Sequence, residues 1–213
     1  HHASGPSSNG FYSYDKWSIL RESVDFSKYK PILFKEKGFY GYKDHKGNIL
    51  ISACLKDARE YLDTGIAAIT DGYNWSYINY YGWPLLTAFV VNNGPDEFKE
   101  DLARYKDHEN CLGFMNRKGE IVIKASYHHA FPFSEGLAAV CTEYEMKICR
   151  DNEWKILKGG KWGFINKKGE MVIKSQFSDV SSFKDGKAVV YTMDNKRVVI
   201  NKQGRIINVI YNR

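Results

Sequence analysis

Four kinds of side chain in this sequence could do chemistry: the thiols of Cys54, Cys111, Cys141 and Cys149, the adjacent imidazoles of His128 and His129, a scatter of carboxylates, and a high density of aromatic rings. The cysteines form no C-x-x-C pair and no Cys/His cluster with zinc spacing. Their even number permits two disulfides, but four buried thiols satisfy the pattern equally well, and Cys141 could reach Cys149 only if the chain between them folded back. Neighbouring residues on an extended chain point to opposite sides, so one metal ion cannot easily take both His128 and His129. There is no G-x-S-x-G, H-E-x-x-H, P-loop or dinucleotide fingerprint. A glycosidase-like carboxylate pair leaves no linear signature, which keeps a hydrolase on a β scaffold as a third reading. The expectation is a chain without catalytic residues, cofactor or metal.

The rings are more informative. The stretch GYNWSYINYYGW, Gly72 to Trp83, contains Tyr73, Trp75, Tyr77, Tyr80, Tyr81 and Trp83. Whether these stack on a ligand or fill a core depends on the elements that hold them, and those elements recur. YGYKDHKGNILI from Tyr40, WSYINYYGWPLL from Trp75, LGFMNRKGEIVI from Leu112, WGFINKKGEMVI from Trp162 and RVVINKQGRIIN from Arg197 share one design. Each has a short apolar strand, an Asn or Asp, two mostly polar residues, a Gly and a return strand. The reference positions Gly41, Ser76, Gly113, Gly163 and Val198 are separated by steps of 35, 37, 50 and 35 residues. A second element repeats behind the first: TGIAAI, EDLARY, EGLAAV and DGKAVV, preceded by Phe98, Phe133 and Phe183 in the last three. Asn opens a type I turn and Gly supplies a left-handed residue, so N-K-K-G between alternating runs predicts a hairpin, with K-A-V-V-Y as a third strand. The Gly after Trp162 is expected to admit a close neighbour, and Trp162 itself to pack in the core. GPDEFKEDLARY also fits a helix by its Gly-Pro start and its apolar face, but the register of the copies makes Leu102–Tyr105 a strand.

The KWGFINKKGE and F-x-x-G-x-A motifs and their period resemble the WG (KWG) β-repeat family of bacterial proteins, over about residues 23–213. The resemblance implies an all-β fold of tandem three-stranded repeats of about 35 residues in an open or superhelical array, acting as binding or scaffold modules without a shared catalytic site. The copies fall at about 38–72, 73–107, 110–160, 161–195 and, in part, 196–213. A third-strand segment at 23–35 precedes them. Because that segment lacks a hairpin and the last hairpin lacks a third strand, the alternative is a five-bladed, propeller-like ring whose last blade is shared between the termini.

Against the repeat, two places stand out. Tyr80 and Tyr81 occupy turn positions that other copies give to polar residues, such as Arg117-Lys118 and Lys167-Lys168, and Trp83 stands where Glu120 and Glu170 stand. These three rings are expected to be exposed, or covered by a neighbouring unit or a partner, whereas Trp75 and Tyr77 are core. The residues 143–160 form an insertion between two copies and read as a projecting hairpin carrying Tyr144 and Trp154. Tyr80, Tyr81, Trp83, Tyr144 and Trp154 are therefore the candidate binding residues.

The chain has 213 residues and a net charge of +6, with its lysines set in Gly-containing turns. That distribution is not the continuous stripe of a nucleic-acid-binding protein, and no apolar run is long enough to span a bilayer. Residues 1–10 read as a tag and linker remnant, leaving 11–213 as a single repeat domain. No Met precedes Met115, so the natural start is expected to have been replaced by the tag or lost with an upstream segment such as a signal peptide; the lean on location is extracytoplasmic. The leading expectation is a non-enzymatic module that binds a protein partner, and the alternative is carbohydrate or cell-wall binding through exposed rings.

Overall fold

The computed structural model describes residues 29–142 and 160–211 in full, and the strands Glu145–Ile148 and Trp154–Lys158 by their backbone. The described residues group into two compact units, one within 29–95 with Arg117–Gly119, the other within Asp96–Asn116 and 120–211.

The first unit contains β1 (Ile32–Glu36), β2 (Phe39–Lys43), β3 (Ile49–Leu55), β4 (Asp57–Ala58), β5 (Ala67–Thr70), β6 (Trp75–Ile78), β7 (Pro84–Ala88), β8 (Val90–Val91) and β9 (Gly94–Pro95). β1, β2 and β3 pair in that order, β4 to β7 pair in sequence, and β8 and β9 form a small hairpin. The second unit contains β10 (Leu102–Lys106), β11 (Leu112–Asn116), β12 (Ile121–Tyr127), β13 (His129–Ala130), β14 (Ala138–Thr142), β15 (Glu145–Ile148), β16 (Trp154–Lys158), β17 (Lys161–Ile165), β18 (Met171–Val180), β19 (Lys187–Thr192), β20 (Arg197–Asn201) and β21 (Ile206–Ile210). β10 pairs with β11 and β11 with β12, while β13, β14 and β17 to β21 run side by side in one sheet. These pairings are all antiparallel. The protein is thus all-β and built of tandem copies of hairpin plus third strand. The segment from Gly94 to Tyr105 follows the repeat register as β9 and β10 and forms no helix. Among the described residues no helix is long and apolar enough to cross a membrane.

Each hairpin turn is closed by the same bonds. In the fourth copy Asn166 N donates to Glu170 O at 3.0 Å and Gly169 N to Asn166 O at 2.9 Å. The Asn166 side-chain oxygen accepts from the Lys168 and Glu170 amides at 3.0 Å each. Asn201 and Asn79 make the same pair of side-chain bonds, and Asp44 does so with Lys46 and Asn48. Gly169 has a φ of 82°, which glycine adopts without the Cβ clash that other residues meet. The link between β10 and β11 copies this turn with Asp107 as acceptor and Asn110 at φ 62°. Sequence reading passed over it because Asn, the other residue that tolerates a left-handed backbone, replaces Gly.

The glycine after Trp162 has a steric cause. Between the pairs Trp162↔Phe177 and Phe164↔Ile173 the register shifts, so β18 bulges opposite Gly163. A Cβ on Gly163 would lie 2.6 Å from Ile173 O, and at Gly41 and Gly113 the same atom would lie 2.5 and 2.4 Å from Ile51 O and Ile123 O. In the last copy Val198 pairs directly with Val209 and the irregularity falls one pair later, so a side chain fits there. Gly163→Ala is therefore expected to cost about 1–3 kcal/mol by overpacking, whereas Val198→Gly should cost through lost burial and strand propensity rather than relieve a clash. Denaturant midpoints for the two variants check this, and a neutral Gly163→Ala would refute the assigned register.

The core is a stack of aromatic pairs. Phe114 meets Phe133 at 4.7 Å and Phe164 meets Phe183 at 4.8 Å between ring centroids, both edge-on. In the first copy Tyr42 and Tyr61 make this contact at 5.0 Å. Tyr61 escaped sequence reading because its loop to Gly65 is one residue longer than the others. Trp162 is only half-buried: its ring lies against Phe131 at 4.9 Å and His129 at 5.6 Å. The core expectation for Trp162 is thus corrected. Strand alternation turns Trp162 and Phe164 to one face; Phe164 lies within the cluster and Trp162 packs at its margin.

Candidate functional site

The turn at Asn79 positions the three candidate rings of the first unit. Gly82 has a φ of 78°, and Asn79 accepts from the Tyr81 and Trp83 amides at 2.9 and 3.0 Å. Tyr80, however, is 3% exposed and thus covered, unlike Trp83. Its ring packs edge-on against Tyr61 at 5.8 Å and Tyr81 at 6.4 Å, and its hydroxyl donates to Tyr29 O. Burial, with Tyr81 nearby, pushes the phenol up to about 12. Tyr81 is half-buried, while Trp83 and Leu85 are each 38% exposed and Pro84 is exposed. Trp75 and Tyr77 are buried, as their repeat positions require. The Trp75 indole donates to Asn93 O at 3.0 Å, and the Arg59 guanidinium sits 4.6 Å from its ring centroid.

The burial of Tyr80 follows from what its position does in the array. The residue after the turn Asn reaches back to an earlier loop. Thr64 donates to Arg117 O within the first unit, and within the second Lys167 Nζ donates to Glu100 O at 3.2 Å and stands 3.6 Å from its carboxylate. Tyr80 performs this contact with a ring. A further ladder joins the loops before the third strands. Gly136 N donates to both Glu100 carboxylate oxygens at 3.0 and 3.2 Å, and Gly186 N to both of Glu135 at 3.1 and 3.2 Å. Glu100, Glu135 and Asp185 all have positive φ, near 50°, as the first central residue of a type I′ turn requires. The acids preceding Asp101 and Gly136 were visible in the sequence, but their function as acceptors was not.

Trp154 begins β16, which pairs with β15 through Ile148↔Trp154, so the insertion contains a hairpin. Tyr144 lies outside the described residues.

A family model described as WG containing repeat matches residues 113–144 and 162–196. The chain carries two WG-containing repeats at these stretches. The matched stretches are the copies holding β11 to β14 and β17 to β19. No curated protein sequence matched the chain. Among solved structures, BamB from Moraxella catarrhalis aligns at 10% identity with a TM-score of 0.38, over 86% of this chain and 62% of that one. A eukaryotic initiation factor aligns at 8% and 0.30, over 86% and 73%, and the C-terminal WD40 domain of Sif2 at 12% and 0.25, over 68% and 54%. The WG-repeat chain thus spans less than two thirds of the BamB chain.

The second copy departs from the others in its interior. Arg104 and Asp96 form a buried pair, their side chains 8% and 5% exposed. Arg104 Nε and Nη2 donate to the two Asp96 oxygens at 2.9 and 2.7 Å, Nη1 donates to Ala130 O at 2.8 Å, and the Arg104 amide donates to Asp96 Oδ2 at 2.9 Å. The third copy has Phe131 and Ala139 at these places, and the fourth has Ser181, whose hydroxyl accepts from Val189 N at 2.9 Å. A buried ion pair of this kind holds register more than it adds stability. The nearby His129 imidazole is held below its ordinary value by burial, and then by the Arg104 charge. The ring is exposed on its outer side and stands edge-on to Phe131 and Trp162.

Among the described residues, the thiols are reduced. Cys54, Cys111 and Cys141 are free thiols. Burial pushes Cys111 and Cys141 up, and Asp107 and Glu109 add to the effect at Cys111, so both stay protonated at neutral pH rather than nucleophilic. Ligand atoms of Asp107, Glu109 and Cys111 lie within 4.8 Å of one another, but the Asp107 oxygen already accepts the Glu109 and Cys111 amides as the turn's acceptor.

Proposed function

We propose that this WG-repeat protein is a non-catalytic binding module for a protein partner, and that Trp83, with Pro84, Leu85 and the edge of Tyr81, belongs to the contact surface. The carrying observation is an indole 38% exposed at a place where the third and fourth copies keep a Glu that bonds its own turn, Asn116 Nδ2 to Glu120 at 3.0 Å and Asn166 Nδ2 to Glu170 at 2.7 Å. Tryptophan is favoured at the centre of interfaces because one ring buries a large area at small entropic cost. Tyr80 supports the surface from beneath. Trp83→Glu imports the residue that the other turns already accommodate, so folding should change by no more than about 0.5 kcal/mol. Partner capture from the source organism, followed by titration of the captured protein, should weaken at least tenfold. Undiminished binding by the variant would remove Trp83 from the surface. Saturable sugar binding on a glycan array, lost in Trp83→Glu, would move the partner class to carbohydrate.

A further inference from the structure

The chain contains two Asn-Gly steps, Asn9-Gly10 in the stretch read as tag and linker and Asn93-Gly94 between β8 and β9. The second has the setting for a reaction of its own. Val91↔Gly94 closes a two-residue hairpin whose central residues, Asn92 and Asn93, have φ of 49° and 65°, the type I′ pattern. Both are exposed. The turn asparagines Asn79, Asn116, Asn166 and Asn201 commit their side-chain oxygens to backbone amides. Asn93 accepts a bond only at its backbone carbonyl, from the Trp75 indole at 3.0 Å, and its side-chain amide bonds to no described residue. The residue after it has no side chain to shield its nitrogen. The hairpin that holds this nitrogen has only two pairs, Val90↔Pro95 and Val91↔Gly94, and Pro95 has no N–H to give. A ribbon of that size is marginal, so its local opening costs far less than global unfolding.

We propose that Asn93 is a modification site at which the chain deamidates itself. With the hairpin open, Gly94 N loses its proton and attacks Asn93 Cγ. The new C–N bond closes a five-membered succinimide, the Cγ–Nδ2 bond breaks, and the nitrogen leaves as ammonia with the proton. Water then adds to one ring carbonyl. Cleavage at Cγ leaves aspartate, and cleavage at the backbone carbonyl leaves isoaspartate. One water is consumed, one ammonia is released, and nothing is oxidised or reduced. Asn92 shares the turn and the exposure, but the nitrogen after it belongs to a residue with a side chain. The position decides what the products do. A Cβ on Gly94 would lie 3.3 Å from Arg59 Nη2, whose guanidinium sits 4.6 Å from the Trp75 ring centroid. The new negative charge therefore arises one residue from a site that touches this cation. The aspartyl product keeps the main chain, and with it the acceptor of the Trp75 indole. The isoaspartyl product routes the main chain through Cβ and turns that acceptor into a free carboxylate, so the type I′ turn is lost.

The test incubates the full chain in mildly alkaline buffer without denaturant and maps its peptides by fragmentation mass spectrometry. Isoaspartate is read by labelling with an isoaspartyl methyltransferase. The expected result is an amide-to-acid mass shift at residue 93, with both products present, and none at Asn92. Gly94→Ala should slow the conversion at least tenfold. Its φ lies outside the left-handed region, and an added Cβ would meet only the tip of Arg59 and, at 3.8 Å, Val91 O, so its thermal melt should match the parent. Asn93→Gln, which would have to close a six-membered ring, should abolish the shift. Asn93→Asp should elute from an ion exchanger with the aspartyl product of the aged parent. Absence of the shift at residue 93, equal rates in the parent and Gly94→Ala, or a shift of the same size at Asn92 would overturn the proposal. So would conversion seen only when urea is added, because the folded hairpin would then hold the site closed.

Discussion

Arg104→Ala is expected to destabilise the protein by about 3–5 kcal/mol, because it leaves the Asp96 carboxylate buried without its countercharge. Asp96→Ala should cost a similar amount, since it strands the guanidinium and also removes the acceptor of the Arg104 amide. Neither figure is the worth of the pair, because desolvation offsets most of the attraction between its members. The double change Asp96→Ser, Arg104→Val separates the two quantities. It installs the arrangement of the fourth copy, where the Ser181 hydroxyl accepts the Val189 amide, and it should recover most of the loss. Urea midpoints at constant m-value measure all three variants. If the double variant is as unstable as the singles, the pair stabilises in its own right and does not merely hold register.

Tyr80→Ala should cost about 3–5 kcal/mol, the range for deleting a buried ring, and Tyr80→Phe about 1 kcal/mol for the hydroxyl bond to Tyr29 O. Trp83→Glu, three residues away in the same turn, should be nearly neutral. Thermal melts of the three variants decide between Tyr80 as core and Tyr80 as surface, and a stable Tyr80→Ala would return the ring to the surface. The phenol adds an alkaline signature. Its folded-state value is raised to about 12 by burial above the ordinary 10 or so of a free tyrosine, so the unfolded chain ionises first. Stability should be complete below about pH 10 and fall as pH rises towards 12. Tyr80→Phe should flatten part of that fall; Tyr42, raised further by burial, accounts for some of what remains.

Much of this protein was legible in its sequence, because the features that define the repeat are local. An Asn and the Gly three residues after it fix a turn through backbone angles and side-chain bonds that are local to the turn, and period-two alternation assigns the strands on either side. That logic placed five hairpins and the third strands of the four complete copies. It kept β10 as a strand where helix signals competed, and it put Trp75 and Tyr77 in the core. The glycine at Gly163 also announced a close approach, though not that the neighbour would be a bulged carbonyl. The tertiary structure decided matters that depend on contacts between copies. Tyr80 is exposed by the logic of its own turn, yet buried because that position leans on a loop 51 residues earlier in the chain. Glu100 and Glu135 are ordinary turn acids until the next copy sets a glycine amide against each carboxylate. Asp96 and Arg104, eight residues apart, carry no periodic signal at all. Their pairing exists because the fold removes both from water, and a buried charge must find its partner wherever the chain has placed it.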